Sequence, residues 1–202
     1  MIDWDLIREK IRVVDYNIYL GEDEEKQINF LKRRSKTALI KSDLIGKIIS
    51  SVKVTKSEYA YLLLLLYLGY VESGYSYIIN ITVLNKKDIW NEEKKKKIKS
   101  YIDVSKISLS EKLKFLKKYG FECFGEICDK NLRNVIAHEL YAIEDDGTVE
   151  DLKLGTKYRL KKLRERSKLV TDFINFFAEE TKPKGFTDKD YERARIFLRR
   201  PR

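Results

Sequence analysis

The chain contains a single histidine, His138, in a segment that also carries Arg133 and Asn134. On one helix at about 100° per residue, Asn134 and His138 are neighbours, and Arg133 lies about 140° around the helix from His138. Arginine supplies a permanent forked cation that suits phosphate, and histidine carries protons near neutral pH. Asparagine can orient either group without titrating. These three residue types suit the cleavage of a phosphodiester without a metal ion.

One histidine per chain limits the other chemistry that is open to the protein. A multi-histidine zinc site cannot form within one chain. Cys123 and Cys128 are the only two cysteines. Their C-x4-C spacing without a second pair is a poor zinc signature, which favours two small buried residues on a helix. We therefore predict no metal site and no cofactor.

The segment from Arg133 to His138, R-N-V-I-A-H, resembles the R-x4-6-H motif of the HEPN superfamily in its R-N-x-x-x-H form. In that family the motif follows an up-and-down set of helices, and a short hairpin then leads into the last long helix. The sequence has the same order between about Ser57 and Glu180. The resemblance implies a metal-independent endoribonuclease that acts as a homodimer, with motif residues from both chains in one composite active site.

Cleavage through the 2′-OH of RNA needs a base for that hydroxyl, an acid for the departing 5′-oxygen and a cation for the phosphorane. Positioned proton transfer is worth ~10²–10⁴ in rate. Since each chain has one imidazole, the version with two imidazoles requires two chains. We expect Arg133 to hold the phosphate of single-stranded RNA, His138 to move the proton and Asn134 to orient them. Lys130, Tyr141 and Glu72 are candidates for supporting roles.

The resemblance leaves other functions open. HEPN members that have lost activity bind RNA, a nucleotide or a partner protein, and this non-catalytic module is the alternative prediction. Active members include toxins, and a toxin or antiviral defence role is expected to add an antitoxin or nucleotidyltransferase partner. One toxin group with nucleotidyltransferase antitoxins carries a tyrosine two residues past the histidine. Here Tyr141 lies three residues past it.

The elements that must position these residues are predicted to be helices, because apolar residues recur at helical spacing through most of the chain. We predict an all-α, up-and-down helical bundle with a small β-hairpin after the motif helix. The motif helix is expected from Phe121 to about Leu140, the hairpin turn at Asp146–Gly147 and the last long helix over Lys157–Glu180. Residues 1–182 form one domain, whose first ~50 residues are an extension of unknown kind, and 183–202 form a basic tail with a short helix.

The net charge and the hydropathy pattern indicate which kinds of partner the protein binds. Lys and Arg number 42 against 32 Asp and Glu, a net charge of +10. Seven basic residues and one acidic residue lie between Lys157 and Lys168, and we predict that Lys161, Lys162 and Arg164 bind RNA phosphates. The apolar run from Tyr59 to Asn85 contains Glu72 and several polar residues, which favours a buried bundle helix over a membrane span. We expect a cytoplasmic protein.

Overall fold

The computed structural model describes residues 2–15, 33, 37, 40–41, 43–95 and 97–181. These residues form a helical bundle with a small antiparallel sheet between its last two helices. The prediction of an all-α bundle with a small β element after the motif helix is confirmed. The sheet has a third strand that the sequence did not predict, in the order β1-β2-β3. The predicted tail, residues 183–202, lies outside the described residues, as does 16–30 of the N-terminal extension.

From α2 onward the elements follow one another along the chain with short connections. The helices are α1 (Trp4–Arg12), α2 (helical at 43–51), α3 (Lys56–Tyr70), α4 (Ser76–Asn85), α5 (Lys87–Lys94), α6 (Tyr101–Ser105), α7 (Leu109–Lys118), α8 (Glu122–Ile127), α9 (Lys130–Ala137) and α10 (Leu160–Glu180). A π-helical turn, Val71–Tyr75, joins α3 to α4. The strands are β1 (Tyr141–Ile143), β2 (Val149–Asp151) and β3 (Lys157–Tyr158).

The centre of the bundle is the continuous stretch of α3, the π-helical turn and α4. It begins at a capping box, in which Thr55 and Glu58 satisfy each other's backbone N–H groups. Among the described residues, Lys56–Asn85 is the one helical stretch long and apolar enough to cross a membrane, and half of its most apolar window is buried in the protein. Helices that are apolar all round are typical of a bundle core. α10 packs along this stretch, with the Tyr75 and Phe173 ring centroids 5.8 Å apart.

The predicted single helix from Phe121 to Leu140 is wrong, because the chain bends between α8 and α9. Cys128 adopts an extended conformation (φ −100°, ψ 123°), and Asp129 starts a new helix by accepting the Leu132 N–H at 3.0 Å. The buried Tyr67 hydroxyl accepts the Asp129 N–H at 2.9 Å and lies 3.1 Å from the Asp129 carbonyl oxygen. The central helix therefore fixes the point at which the motif helix begins.

The last long helix begins at Leu160, three residues later than predicted, because Lys157 and Tyr158 pair with β2 as a strand. The buried Tyr158 side chain and the exposed Lys157 alternate across this strand, as the pleat of a strand requires. At the other end of α10, Arg8 of α1 donates to Glu180 at 2.8 Å. Trp4 packs on Phe176 there, so α1 is bound to the last helix.

Asp129→Ala removes the side-chain cap of α9. We expect the free energy of unfolding to fall by about 1 kcal/mol, the usual cost of losing an N-cap. Asp129→Asn keeps an acceptor at that position and loses only the attraction to Arg166, which lies 3.6 Å away and is partly exposed. Urea unfolding of both variants checks this, and equal destabilisation by alanine and asparagine would contradict the role of the cap.

Candidate active site

The motif segment occupies α9 and the turn that follows it. His138 is the C-cap residue (φ −108°, ψ 6°), and its backbone N–H donates to the Asn134 carbonyl at 3.1 Å. Glu139 then takes a left-handed conformation (φ 54°), which turns the chain into β1. If the helix continued past His138, Glu139 would lie on its apolar side. The sequence therefore indicates that the helix ends there. The structure confirms that the helix ends at this point, and the His138 side chain is exposed.

Arg133 leaves α9 toward the central helix and meets Glu72 of the π-helical turn. Its Nε donates to Glu72 Oε1 at 2.7 Å, and Nη2 lies 2.5 Å from the same oxygen. The Arg133 side chain is 25% exposed and that of Glu72 is 39% exposed. The partner that the partly buried Glu72 is expected to need is therefore Arg133. π-helical turns occur often at functional sites, and this one places a carboxylate against the motif helix.

Arg133 also contacts its neighbour along the chain. Nη1 donates to Asn134 Oδ1 at 3.1 Å, so Glu72, Arg133 and Asn134 form a chain of polar contacts. A guanidinium has five N–H donors. Since Glu72 and Asn134 are its only polar partners among the described residues, at least two N–H groups remain for a further acceptor. This geometry orients the guanidinium and leaves it able to bind an anion.

Asn134 and His138 share a depression of about 300 Å³ beside the start of β1. Its polar lining also includes Asn131, Asp151 and Lys153, and its apolar lining comes from Val135, Leu140 and Leu154. The His138 side chain makes no hydrogen bond or ion pair within the described ranges. Arg133 is not part of this lining and reaches the depression only through Asn134. The structure thus brings Asn134 and His138 together and places Arg133 one contact away.

Neither of the other supporting candidates lines the depression. Lys130 is exposed in the first turn of α9 and does not line the depression. Tyr141 begins β1 opposite Asp151. Burial, with smaller contributions from Tyr61 and Glu139, raises the pKa of Tyr141. Its phenol therefore stays protonated at neutral pH and can donate a hydrogen bond.

Asp151 is a site residue that the sequence did not predict. It is fully buried, and its Oδ1 accepts the backbone N–H groups of Lys153 at 2.8 Å and Leu154 at 3.0 Å. Its Oδ2 has no hydrogen-bond partner among the described residues. The signal for this turn is the segment D-L-K-L-G, in which Gly155 takes a left-handed conformation (φ 67°) that glycine favours.

The predicted RNA-binding residues do not share one surface. Lys161 and Lys162 lie in a groove of about 670 Å³, which we call the basic groove, together with Lys157, Arg159, Glu165 and Arg166. Arg164 points to the central helix instead, where its Nε donates to the Tyr59 hydroxyl at 3.2 Å. Its guanidinium lies 4.8 Å from the centre of that ring.

Both cysteines are buried, as predicted. Burial, the largest cause, raises the pKa of the Cys128 thiol to about 11, so this group is not a thiolate near neutral pH. No group of three or more His, Cys, Asp and Glu side chains that could hold a metal ion is found in the described part of the chain.

Comparisons with protein-family models, curated proteins and solved structures gave no match for this chain. The assignment of a function therefore rests on the R-N-x-x-x-H motif and on the contacts of its three polar residues.

Proposed function

We propose that this protein is a metal-independent endoribonuclease of the HEPN type, which cleaves single-stranded RNA through attack of the 2′-OH. The observation that carries the proposal is the exposed imidazole of His138, which has no hydrogen-bond partner among the described residues. It lies next to Asn134, and the Arg133 guanidinium is held in place by Glu72. A proton carrier, an orienting amide and a fixed cation within six consecutive residues are the groups that this reaction needs.

The proposed reaction exchanges one P–O bond for another. The 2′-oxygen bonds to phosphorus while the bond from phosphorus to the 5′-oxygen breaks. The proton of the 2′-OH passes to one imidazole, and a protonated imidazole gives a proton to the departing 5′-oxygen. The products are a 2′,3′-cyclic phosphate and a 5′-OH, and no oxidant or metal is consumed.

Arg133 is proposed to stabilise the negative charge of the phosphorane. Two of its nitrogens face Glu72 and one contacts Asn134, so the guanidinium is oriented before RNA arrives. A hydrogen-bond donor that is already oriented stabilises the charge of the transition state most strongly, because it does not have to reorganise during the reaction. Glu72 is accordingly proposed as a positioning residue, and Asn134 as the link between the cation and the imidazole.

A homodimer is proposed to supply the second imidazole. Three strongly exposed leucines lie around the His138 depression: Leu140 (41% exposed), Leu152 (63%) and Leu154 (59%). Exposed apolar side chains grouped around a polar site are typical of an interaction surface. A second copy on this surface would bring the two His138 side chains to one cleft. The cellular role we propose is that of a cytoplasmic toxin or antiviral effector, which an antitoxin or nucleotidyltransferase partner would restrain.

His138→Ala and Arg133→Ala test the two roles in a cleavage assay on single-stranded RNA in EDTA. We expect wild-type activity to survive the chelator. The rate should fall ~10²–10⁴-fold without the imidazole, because positioned proton transfer is lost. It should fall ~10²–10³-fold without the guanidinium, because the phosphorane loses its cation.

The controls separate catalysis from binding. An all-deoxy strand of the same sequence lacks the attacking hydroxyl and should remain intact. Full activity in both variants would rule out the assignment. Tight, salt-dependent RNA binding by wild type with no turnover would favour the non-catalytic module instead.

Leu152→Glu combined with Leu154→Glu tests the dimer. We expect wild type to have the mass of a dimer by light scattering, and the variant to be monomeric and inactive. Both side chains are strongly exposed in the single chain, so the monomeric variant should keep the helical circular dichroism spectrum of the wild type. Val52→Glu, at an exposed apolar position that does not line the depression, is the control and should stay dimeric and active. An active monomer of either form would contradict the composite site.

A further inference from the structure

The basic groove carries an excess of positive charge that the proposed active site does not use. It contains Lys157, Arg159, Lys161, Lys162 and Arg166 against the single acid Glu165.

Three of these cations have contacts within the described chain. Lys157 lies 3.4 Å from Glu150, Arg166 lies 3.6 Å from Asp129, and Lys162 lies 4.8 Å from the centre of the Tyr158 ring. Arg159 and Lys161 make no ion pair with any described residue. Hydrogen bonds from Thr148 chiefly lower the pKa of the Asp146 carboxyl, and Arg159 is near enough to add a smaller effect. The groove is therefore suited to an extended anion.

The groove lacks the features of a membrane contact. A helix that binds a lipid surface presents large apolar side chains next to its basic ones. None of the strongly exposed apolar side chains of the described residues lies in the groove, and Leu169, which lines it, is only partly exposed. A ligand that offers phosphates without an apolar body fits this lining better.

The groove is joined to the His138 depression by the three-stranded sheet. Asp151 of β2 borders the depression, and Lys157 of the adjacent strand β3 borders the groove. The side chains of Asp151 and Lys157 point to opposite faces of the sheet, because Lys157 pairs with Glu150 and successive side chains alternate. The backbone of β2 and β3 thus lies between the two surfaces, and neighbouring strands are about 4.8 Å apart. Arg166 provides the closer link, because it lies beside Asp129, the N-cap of the motif helix. Burial, the largest cause, raises the pKa of the Tyr158 phenol, and Asp151 of the depression and Arg166 are both close enough to contribute to that pKa.

We infer that the basic groove binds the phosphates of single-stranded RNA next to the scissile bond, with Arg159 and Lys161 as its main contacts. This inference rests on the proposed function for the identity of the ligand. It changes the RNA-binding set predicted from the sequence, Lys161, Lys162 and Arg164, to residues on one face of α10 and β3. Arg164 lies outside this face.

The test measures RNA binding without cleavage. Full-length His138→Ala protein is titrated against a labelled RNA of about 20 nucleotides, longer than the usual site of a single-strand binding fold. Arg159→Gln with Lys161→Gln is added to this background. The matched control adds Lys114→Gln with Lys117→Gln, which removes the same charge from exposed positions on α7. Circular dichroism confirms that each protein is folded.

We expect the groove variant to bind RNA about tenfold more weakly at roughly 0.15 M salt. The magnitude of the slope of log K against log salt should fall by about 1.4, because each of the two lost phosphate contacts contributes ~0.7. The control should stay within about twofold, since it removes charge but no phosphate contact. Equal weakening by both pairs would show an effect of net charge alone and overturn the inference, as would unchanged binding by the groove variant.

The two proposals can fail separately. Cleavage that depends on His138, combined with unchanged binding by the groove variant, overturns the groove and leaves the nuclease. Selective weakening of binding by the groove variant, in a protein whose wild type cuts no RNA in EDTA, supports the groove and overturns the nuclease.

Discussion

The ion pair between Glu72 and Arg133 connects the buried centre of the bundle to the motif helix. Both side chains are partly exposed, so solvent screens the pair, and its net contribution to stability is on the order of 1 kcal/mol or less. Its main consequence is geometric. An arginine on a short surface helix has many rotamers, and the carboxylate selects the one in which Nη1 reaches Asn134. The proposed phosphate contact depends on this orientation, and Asn134 connects it to the depression around His138.

The same central helix also fixes the backbone of the motif. Tyr67 binds the backbone at Asp129, where α9 begins, and Tyr75 donates to the Phe124 carbonyl at 2.7 Å. Both tyrosines are buried, so the penalty for leaving either partner unsatisfied is high. The π-helical turn allows close approach of α10, because a Cβ at Gly74 would lie 2.6 Å from Ile174 Cδ1. The site is thus positioned by a few polar contacts from an otherwise apolar helix.

The sequence predicted the parts of this arrangement that local pattern determines. Helical periodicity identified the bundle, and Glu72 stood out because it is an acid within an apolar run. The break before α9 was missed, since it depends on the hydroxyl of Tyr67, which is 62 residues away from Asp129 along the chain. The strand at Lys157 was missed because it is two residues long and is held by pairing with β2.

The directions in which side chains point also could not be predicted from the sequence. Lys161, Lys162 and Arg164 lie in one basic run, but only the contact with Tyr59 shows that Arg164 leaves the groove. Asp151 is one of many acids in the sequence, and its place beside His138 follows from the sheet and the tight turn after it. Charge density along the chain therefore predicted a basic surface, and nucleic-acid binding there stays a prediction, without showing which face of the helix carries the charge.

The identity of the ends that cleavage leaves on RNA tests the central claim most directly. Mass spectrometry of the fragments that wild-type protein produces in EDTA distinguishes the reaction classes. Attack by the 2′-OH with proton transfer through His138 predicts a 2′,3′-cyclic phosphate on one fragment and a 5′-OH on the other. A 3′-OH and a 5′-phosphate would show that water attacks phosphorus instead and would contradict the account.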